Sequence, residues 1–221
     1  MHAAVLDTSQ APAPKARIRR SATPIGSARP QSNAPSLALE VVSNMEHMMK
    51  VVTVRSLVYM ADQECPFEEE FDGNDFVGMH VLASLGSEPV GTLRLRFFAG
   101  FAKLERVALR KEYRQSDIAK QMVQFALDIC RRKGYTVVYG HAQVRLLRFW
   151  RSYGFHERAN RKRFIFSDHE YAEIVCNLSE HPDAVTLESD PMVMIRPEGR
   201  WDEMGVLEFS AAREATNPNH A

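Results

Sequence analysis

The apolar positions of this chain change their period several times, and each change marks an element. Leu37 to Val42 is a short β-prone run. Met45, Met48, Met49, Val52 and Leu57 then recur at about 3.6 residues, which predicts a helix from Met45 to Tyr59 with this as its apolar stripe. The run Val51-Val52-Thr53-Val54 opposes that reading, because β-branched side chains are stiff in helices. Two strands follow, Gly78 to Leu85 and Val90 to Phe98, and the turn Gly86-Ser87-Glu88-Pro89 makes them an antiparallel hairpin. In the second strand Leu93, Leu95 and Phe97 alternate with Thr92, Arg94 and Arg96, so one face is apolar and the other polar.

A strand from Lys103 to Leu109 leads through the polar turn Arg110 to Ser116 into a helix from Asp117 to Lys133. Ile118, Met122, Phe125 and Ile129 line that helix, and Gly134 stops it. Tyr135 to Tyr139 reads as an interior strand and Ala142 to Tyr153 as a helix ended by Gly154. Phe155 to Glu157, Arg163 to Phe166 and Tyr171 to Leu178 read as further strands. Interleaved strands and helices predict a mixed α/β layer design without internal repeats.

Composition changes the picture mainly at the ends. Residues 1–36 hold five of the eleven prolines, five basic residues and the single acid Asp7. They read as a disordered basic tail, with a targeting peptide as the sharper alternative. The rest carries 23 basic and 27 acidic residues and is mildly acidic, so bulk charge does not suggest a nucleic-acid partner. The 45% apolar content suits a soluble domain, and no run approaches the roughly 18 apolar residues of a membrane span. Cys65, Cys130 and Cys176 are scattered, which fits reduced thiols in a cytoplasm and argues against a disulfide framework or structural zinc.

The chemistry-bearing piece is the strand, turn and helix from Leu104 to Lys133. A helix N-terminus placed directly after a strand offers outward N–H groups to an anion such as a pyrophosphate. Tyr113-Arg114-Gln115-Ser116-Asp117-Ile118-Ala119 resembles the Arg/Gln-x-x-Gly-x-Gly/Ala signature of the Gcn5-related N-acetyltransferases. Phe149-Trp150-Arg151-Ser152-Tyr153-Gly154-Phe155 resembles that family's Phe-Tyr-x-x-x-Gly-Phe segment. Arg55-Ser56-Leu57-Val58-Tyr59, Asp62 to Phe67, Asp72-Gly73-Asn74-Asp75, His80 to Ala83, Gly91 to Arg94 and Ala142-Gln143 resemble the ElaA-type branch, in order and at near-family spacing.

The resemblance implies a largely antiparallel central sheet, helices on both faces, and a parallel strand pair splayed at the cofactor site. It covers roughly Val54 to Glu157 and implies the use of acetyl-CoA or another acyl-CoA, within a domain expected over residues 37–178 and without a metal. An amine then attacks the thioester directly. Val107, Ala108 and Leu109 would pair with the pantetheine through their backbones and polarise the thioester. Amides of Arg114, Gln115, Ser116, Asp117, Ile118 and Ala119 would hold the pyrophosphate, and Phe149 and Trp150 belong to the second cofactor segment.

Glu105 is the expected base. Regular alternation puts it beside Lys103, Val107 and Leu109, and a carboxylate among apolar neighbours suits proton pickup. The competing reading is an ion pair with Arg94, Arg96 or Arg106. Two positions depart from the family pattern. Asp117 replaces a glycine, where its charge would oppose a pyrophosphate unless it turns outward and caps the helix. Trp150 replaces the acid tyrosine, leaving Tyr153, one turn on, as either substitute acid or packed aromatic.

Glu68, Glu69, Glu70, Asp72 and Asp75 could meet a cationic acceptor or form a solvated loop. Arg145, Arg148, Arg151, Arg158, Arg161, Lys162 and Arg163 could meet the CoA 3′-phosphate or an acyl-carrier protein, and otherwise form a solvated face. His80, His141, His156 and His169 read as ordinary surface or strand histidines. Residues 179–221 read as an extension packed on the domain by Met192 to Ile195 and Trp201, with about the last ten residues disordered and a homodimer contact possible. Three functions are thereby expected: an N-acyltransferase on a small-molecule or peptide amine, a long-chain N-acyl amino acid or acyl-homoserine-lactone-type synthase, or a CoA-binding module without catalysis.

Overall fold

The computed structural model describes residues 35–213. The tail reading for 1–36 and the reading of the last ten residues therefore fall almost wholly outside the described residues. Among the described residues eight strands form one sheet in the order β1-β2-β3-β4-β5-β8-β6, with β7 also paired to β8. The strands are β1 (Leu37–Val41), β2 (Met79–Leu85), β3 (Glu88–Phe98), β4 (Phe101–Leu109), β5 (Val137–Gln143), β6 (His156–Glu157), β7 (Phe164–Phe166) and β8 (His169–Asn177). All neighbours are antiparallel except β4 and β5. The mixed sheet with one parallel pair is the expected fold.

The sheet has two unlike faces. Leu93, Leu95, Leu104, Val138 and Ile174 meet Met122, Ala126 and Ile129 of helix α3 (Ile118–Arg132) in the main core. Gly91 lets this helix approach, since a Cβ there would lie 2.6 Å from the Met122 sulfur. The other face carries Arg94, Arg96, Lys103, Glu105, Tyr139 and His141, and it receives helix α1 (Met45–Arg55). The expected apolar stripe of α1 is corrected here. Val51, Val54, Arg55 and Val58 are buried, whereas Met45, Met49 and Leu57 face outward. Short valines allow a close approach, and Arg55 must point inward to reach buried acids.

After Arg55 the helix widens into a π-turn from Ser56 to Ala61. The acidic connector beyond it contains a short helix missed by the sequence reading, α2 (Phe67–Glu70), begun by Pro66. The helix expected over 142–153 is also corrected. Ala142 and Gln143 stay in β5 because β8 continues to offer Ala172 and Tyr171 as partners. A 3₁₀ turn then leads into α4 (Leu147–Arg151).

Residues 179–213, with α5 (Pro191–Met194) and α6 (Val206–Ala211), pack against the end of α3 and the β1 edge. Trp201 is 6% exposed and joins the main core. Asp202 takes two hydrogen bonds from Arg132, Glu198 pairs with Lys133 at 2.8 Å, and Gly199 lies against Val41. Among the described residues no helix is long and apolar enough to cross a membrane.

Candidate active site

Strands β4 and β5 pair only from Ala102↔Val138 to Leu104↔Gly140 and then separate. A cavity of about 420 Å³ opens where they part, lined on the strand side by Lys103 to Val107 and by His141, Ala142 and Gln143. The connector adds Glu68, Glu69, Glu70 and Asp72, and Trp150, Phe166 and Tyr171 supply aromatic surface.

A β-bulge shapes this end of β4. Arg106 has φ +54°, and three steps from Glu105 to Ala108 face two steps from Arg94 to Thr92. One extra residue reverses the alternation. Lys103 and Glu105 share the polar face, as expected, but beyond the bulge Ala108 packs with Val54 of α1 and Val58 of the π-turn while Leu109 turns into the main core. Regular alternation through Val107 and Leu109 was therefore the wrong expectation, and no glycine or proline marks the bulge.

Glu105 sits among cations rather than apolar groups. Its Oε1 accepts from Arg94 Nε at 2.9 Å, and its Oε2 lies 2.7 Å from Lys103 Nζ. The anticipated partner Arg106 turns instead to Glu70 and Asp72. Proton pickup by Glu105 would break an existing ion pair.

Two fully buried arginines clamp the connector beside this strand. Arg94 donates to Glu105, Asp72 and Asp75, and Arg55 donates to Glu70, Asp75 and the Glu70 carbonyl. Burial raises the Glu70 carboxyl above its ordinary value even against Arg55. Burial acts the same way on Asp72, but hydrogen bonds from Arg94 win and hold it well below the usual carboxylate range. Gly78 leaves room for the Arg94 side chain, which would lie 2.8 Å from a Cβ there. The acids read as a possible solvated loop thus divide. Glu70, Asp72 and Asp75 are ion-paired into the fold, whereas the Glu68 and Glu69 carboxylates have no cationic partner among the described residues; the Glu69 carboxylate accepts from the Ser167 hydroxyl, and its backbone carbonyl accepts from Arg106 at 2.7 Å.

Of the expected backbone groups, the Val107 carbonyl accepts from the Tyr59 hydroxyl at 2.8 Å and the Leu109 carbonyl from Arg114 Nε at 3.2 Å. Burial pushes the Tyr59 hydroxyl far up, so it stays a donor. At the phosphate turn Arg114, Gln115, Ser116 and Asp117 are exposed, Ala119 is half-buried and Ile118 is buried in the core. Arg114 also ties the turn to Asp62 at 3.0 Å. Asp117 occupies the N-cap position but makes no capping bond, so the capping reading fails. Ser116 instead accepts from the Ile118 amide at 3.3 Å. An uncapped first turn leaves donors outward.

Trp150 lines the cavity and packs on Phe149 and Phe155. Phe149 lies between Trp150 and Tyr153. Tyr153 does not reach Glu105; it lines a separate crevice with Gln124, Asp128 and Arg131 of α3. Its burial there pushes the hydroxyl above its ordinary value. The packed reading describes it. His141, Tyr59 and Tyr171, which line the cavity, were missed, because only strand register and the bulge bring them together.

Residues 48–155 match the model of the Acetyltransferase (GNAT) family. The Bacillus subtilis protein YyaT is 30% identical over 109 residues, covering 48% of this chain and 74% of its own length. Escherichia coli ElaA shares the fold with a TM-score of 0.59 at 19% identity, over 64% of this chain and all of its own. A GNAT family acetyltransferase from Elizabethkingia anophelis, solved with acetyl-CoA bound, superposes with a TM-score of 0.52 at 13% identity, over 65% of this chain and 98% of its own. With a splayed parallel pair, a helix N-terminus beyond it and these relatives, the chain belongs to the GNAT family and is an acyltransferase.

Proposed function

We propose that this chain moves an acyl group, acetyl in the first instance, from acyl-CoA to a cationic primary amine. The observation that carries this reading is the β4–β5 split, which begins after three paired residues and opens on the cavity. The pantetheine lies in that split beside Val107, Ala108 and Leu109, and the pyrophosphate meets the turn from Arg114 to Ala119. The cavity holds the acceptor. The amine nitrogen attacks the thioester carbonyl, the carbon–sulfur bond breaks, and CoA leaves as the thiol. Proximity in a shaped cleft supplies much of the acceleration.

Acceptor charge follows from Glu68 and Glu69, the cavity carboxylates without a cation among the described residues. Glu105, held between Arg94 and Lys103, suits holding an ammonium better than stripping it. Thermal shift with acetyl-CoA and with a long-chain acyl-CoA, followed by thiol release over an amine panel, tests the proposal. The expected result is a raised midpoint with acetyl-CoA and turnover with cationic amines. A response to long chains alone would favour the synthase reading. Binding without thiol release from any amine would leave a CoA-binding module.

A further inference from the structure

The cavity contains one imidazole at the point where the strands part. His141 is the residue of β5 directly beyond the last β4 pairing, Leu104↔Gly140. It lies on the same face as Lys103 and Glu105 and lines the cavity with them. Its Nε2 is 2.7 Å from the Tyr139 hydroxyl. Glu173 faces His141 across β8, and its carboxylate lies near the Tyr139 hydroxyl. Glu173 accepts from Arg158 at 2.7 Å, so it is a carboxylate acceptor. A phenol has one proton to donate. With the phenol proton turned toward that carboxylate, the Tyr139 oxygen accepts from Nε2–H, and His141 Nδ1 is the unprotonated nitrogen. Nδ1 has no hydrogen bond among the described residues.

We propose that His141 is the catalytic base of acyl transfer and that Tyr139 is its positioning residue. This rests on the acyltransferase reading of the same cavity. His141 Nδ1 takes a proton from the acceptor ammonium, and the freed nitrogen lone pair forms the bond to the thioester carbonyl carbon. The carbon–sulfur bond breaks, its electron pair leaves on sulfur, and the second proton of the attacking nitrogen passes through water to the CoA thiolate, leaving a neutral amide. His141 returns its proton to solvent. The atoms balance as ammonium plus thioester giving amide, thiol and one proton.

The surroundings keep the ring neutral. Burial lowers the His141 pKa below its ordinary value, and Lys103 lowers it further, while Glu173 and Glu105 oppose. Phe164 and Phe166 of β7 pack on the ring and bring no charge, and His169 and Tyr171 share the cavity lining. Burial and then Glu173 push the Tyr139 hydroxyl up to about 12, so it remains protonated across the working range.

Two measurements on the full chain test this. The first is the nitrogen-correlated NMR titration of His141, which needs no substrate. It should show the Nε2–H tautomer and a midpoint below 6.5, moved in Tyr139→Phe. An Nδ1–H tautomer, or a midpoint at or above 6.5, overturns the proposal whatever the activity. The second is kcat/KM from pH 5 to 9, by thiol release from acetyl-CoA with benzylamine, 1,4-diaminobutane and lysine amide. Wild type should lose activity as pH falls through the His141 midpoint. His141→Gln and His141→Asn should fall roughly 100-fold or more and lose that inflection. Tyr139→Phe should move the inflection, and Glu105→Gln should keep it while raising the acceptor KM. A folded His141 variant, judged by its unchanged melting midpoint, that keeps rate and inflection overturns the assignment. A wild type that binds acetyl-CoA yet is silent with every amine overturns the transfer reading and the base with it.

Discussion

At the level of single residues, charge placement decides how this site works. Asp117 stands exposed and uncapped at the turn expected to hold the pyrophosphate. Its repulsion of a solvated phosphate costs about 1 kcal/mol. Asp117→Gly should therefore tighten acetyl-CoA binding roughly fivefold, measured by calorimetry, with turnover at saturating donor little changed. Arg55 makes the opposite case. It and Glu70 are 0% and 1% exposed, so removing Arg55 strands a buried carboxylate. Arg55→Met should lose about 3–5 kcal/mol in urea unfolding, and the double variant Arg55→Met, Glu70→Met should recover most of it. Neither residue announced its setting in the sequence. Asp117 could be picked out because a signature surrounds it. His141 could not, since its importance depends on a phenol two residues earlier and on a strand that stops pairing beneath it.

At the level of elements, strong periodicity survived and weak periodicity misled. Helix α3 was legible because Ile118, Met122 and Ile129 all reach the core, and the β2–β3 hairpin because Gly86 takes φ +59° at its turn. Helix α1 was legible as a helix but not in its orientation, since four methionines and leucines outweigh a buried arginine in any apolar count. The β4 bulge was invisible because Arg106 carries the left-handed φ usually left to glycine. Arg106→Gly should accordingly be tolerated by the backbone yet remove the second cation from Glu70 and from Asp72, lowering stability without abolishing acetyl-CoA binding, as thermal melts with and without ligand would show. Trp201 is the buried side chain that the extension adds to the main core. Trp201→Ala should cost about 3–5 kcal/mol and speed amide exchange at the end of α3.

For the whole molecule, the polar face makes stability depend on pH in two stages. Burial keeps the His80 and His141 imidazoles below their ordinary values. Below about pH 6.5 the unfolded chain binds protons that the folded chain refuses, so stability falls as pH falls. Asp72 and Asp75 sit below the usual carboxylate range because, against burial, hydrogen bonds from Arg94 and Arg55 hold them charged. Their contribution is complete above about pH 4 and is lost below it. Melting midpoints should decline gently from pH 7 to 5 and steeply below 4, and His80→Gln should flatten the first decline. The same molecule also has a sequence-order problem during synthesis. Most of its core lies between Val81 and Cys176, but Trp201 completes it and Gly199 seats against Val41 of the first strand. A ribosome that has delivered every residue of the cleft still has the closing aromatic inside its exit tunnel. Until those residues emerge, the nascent chain presents an uncovered edge strand and the bare end of α3, the kind of surface that holding chaperones bind.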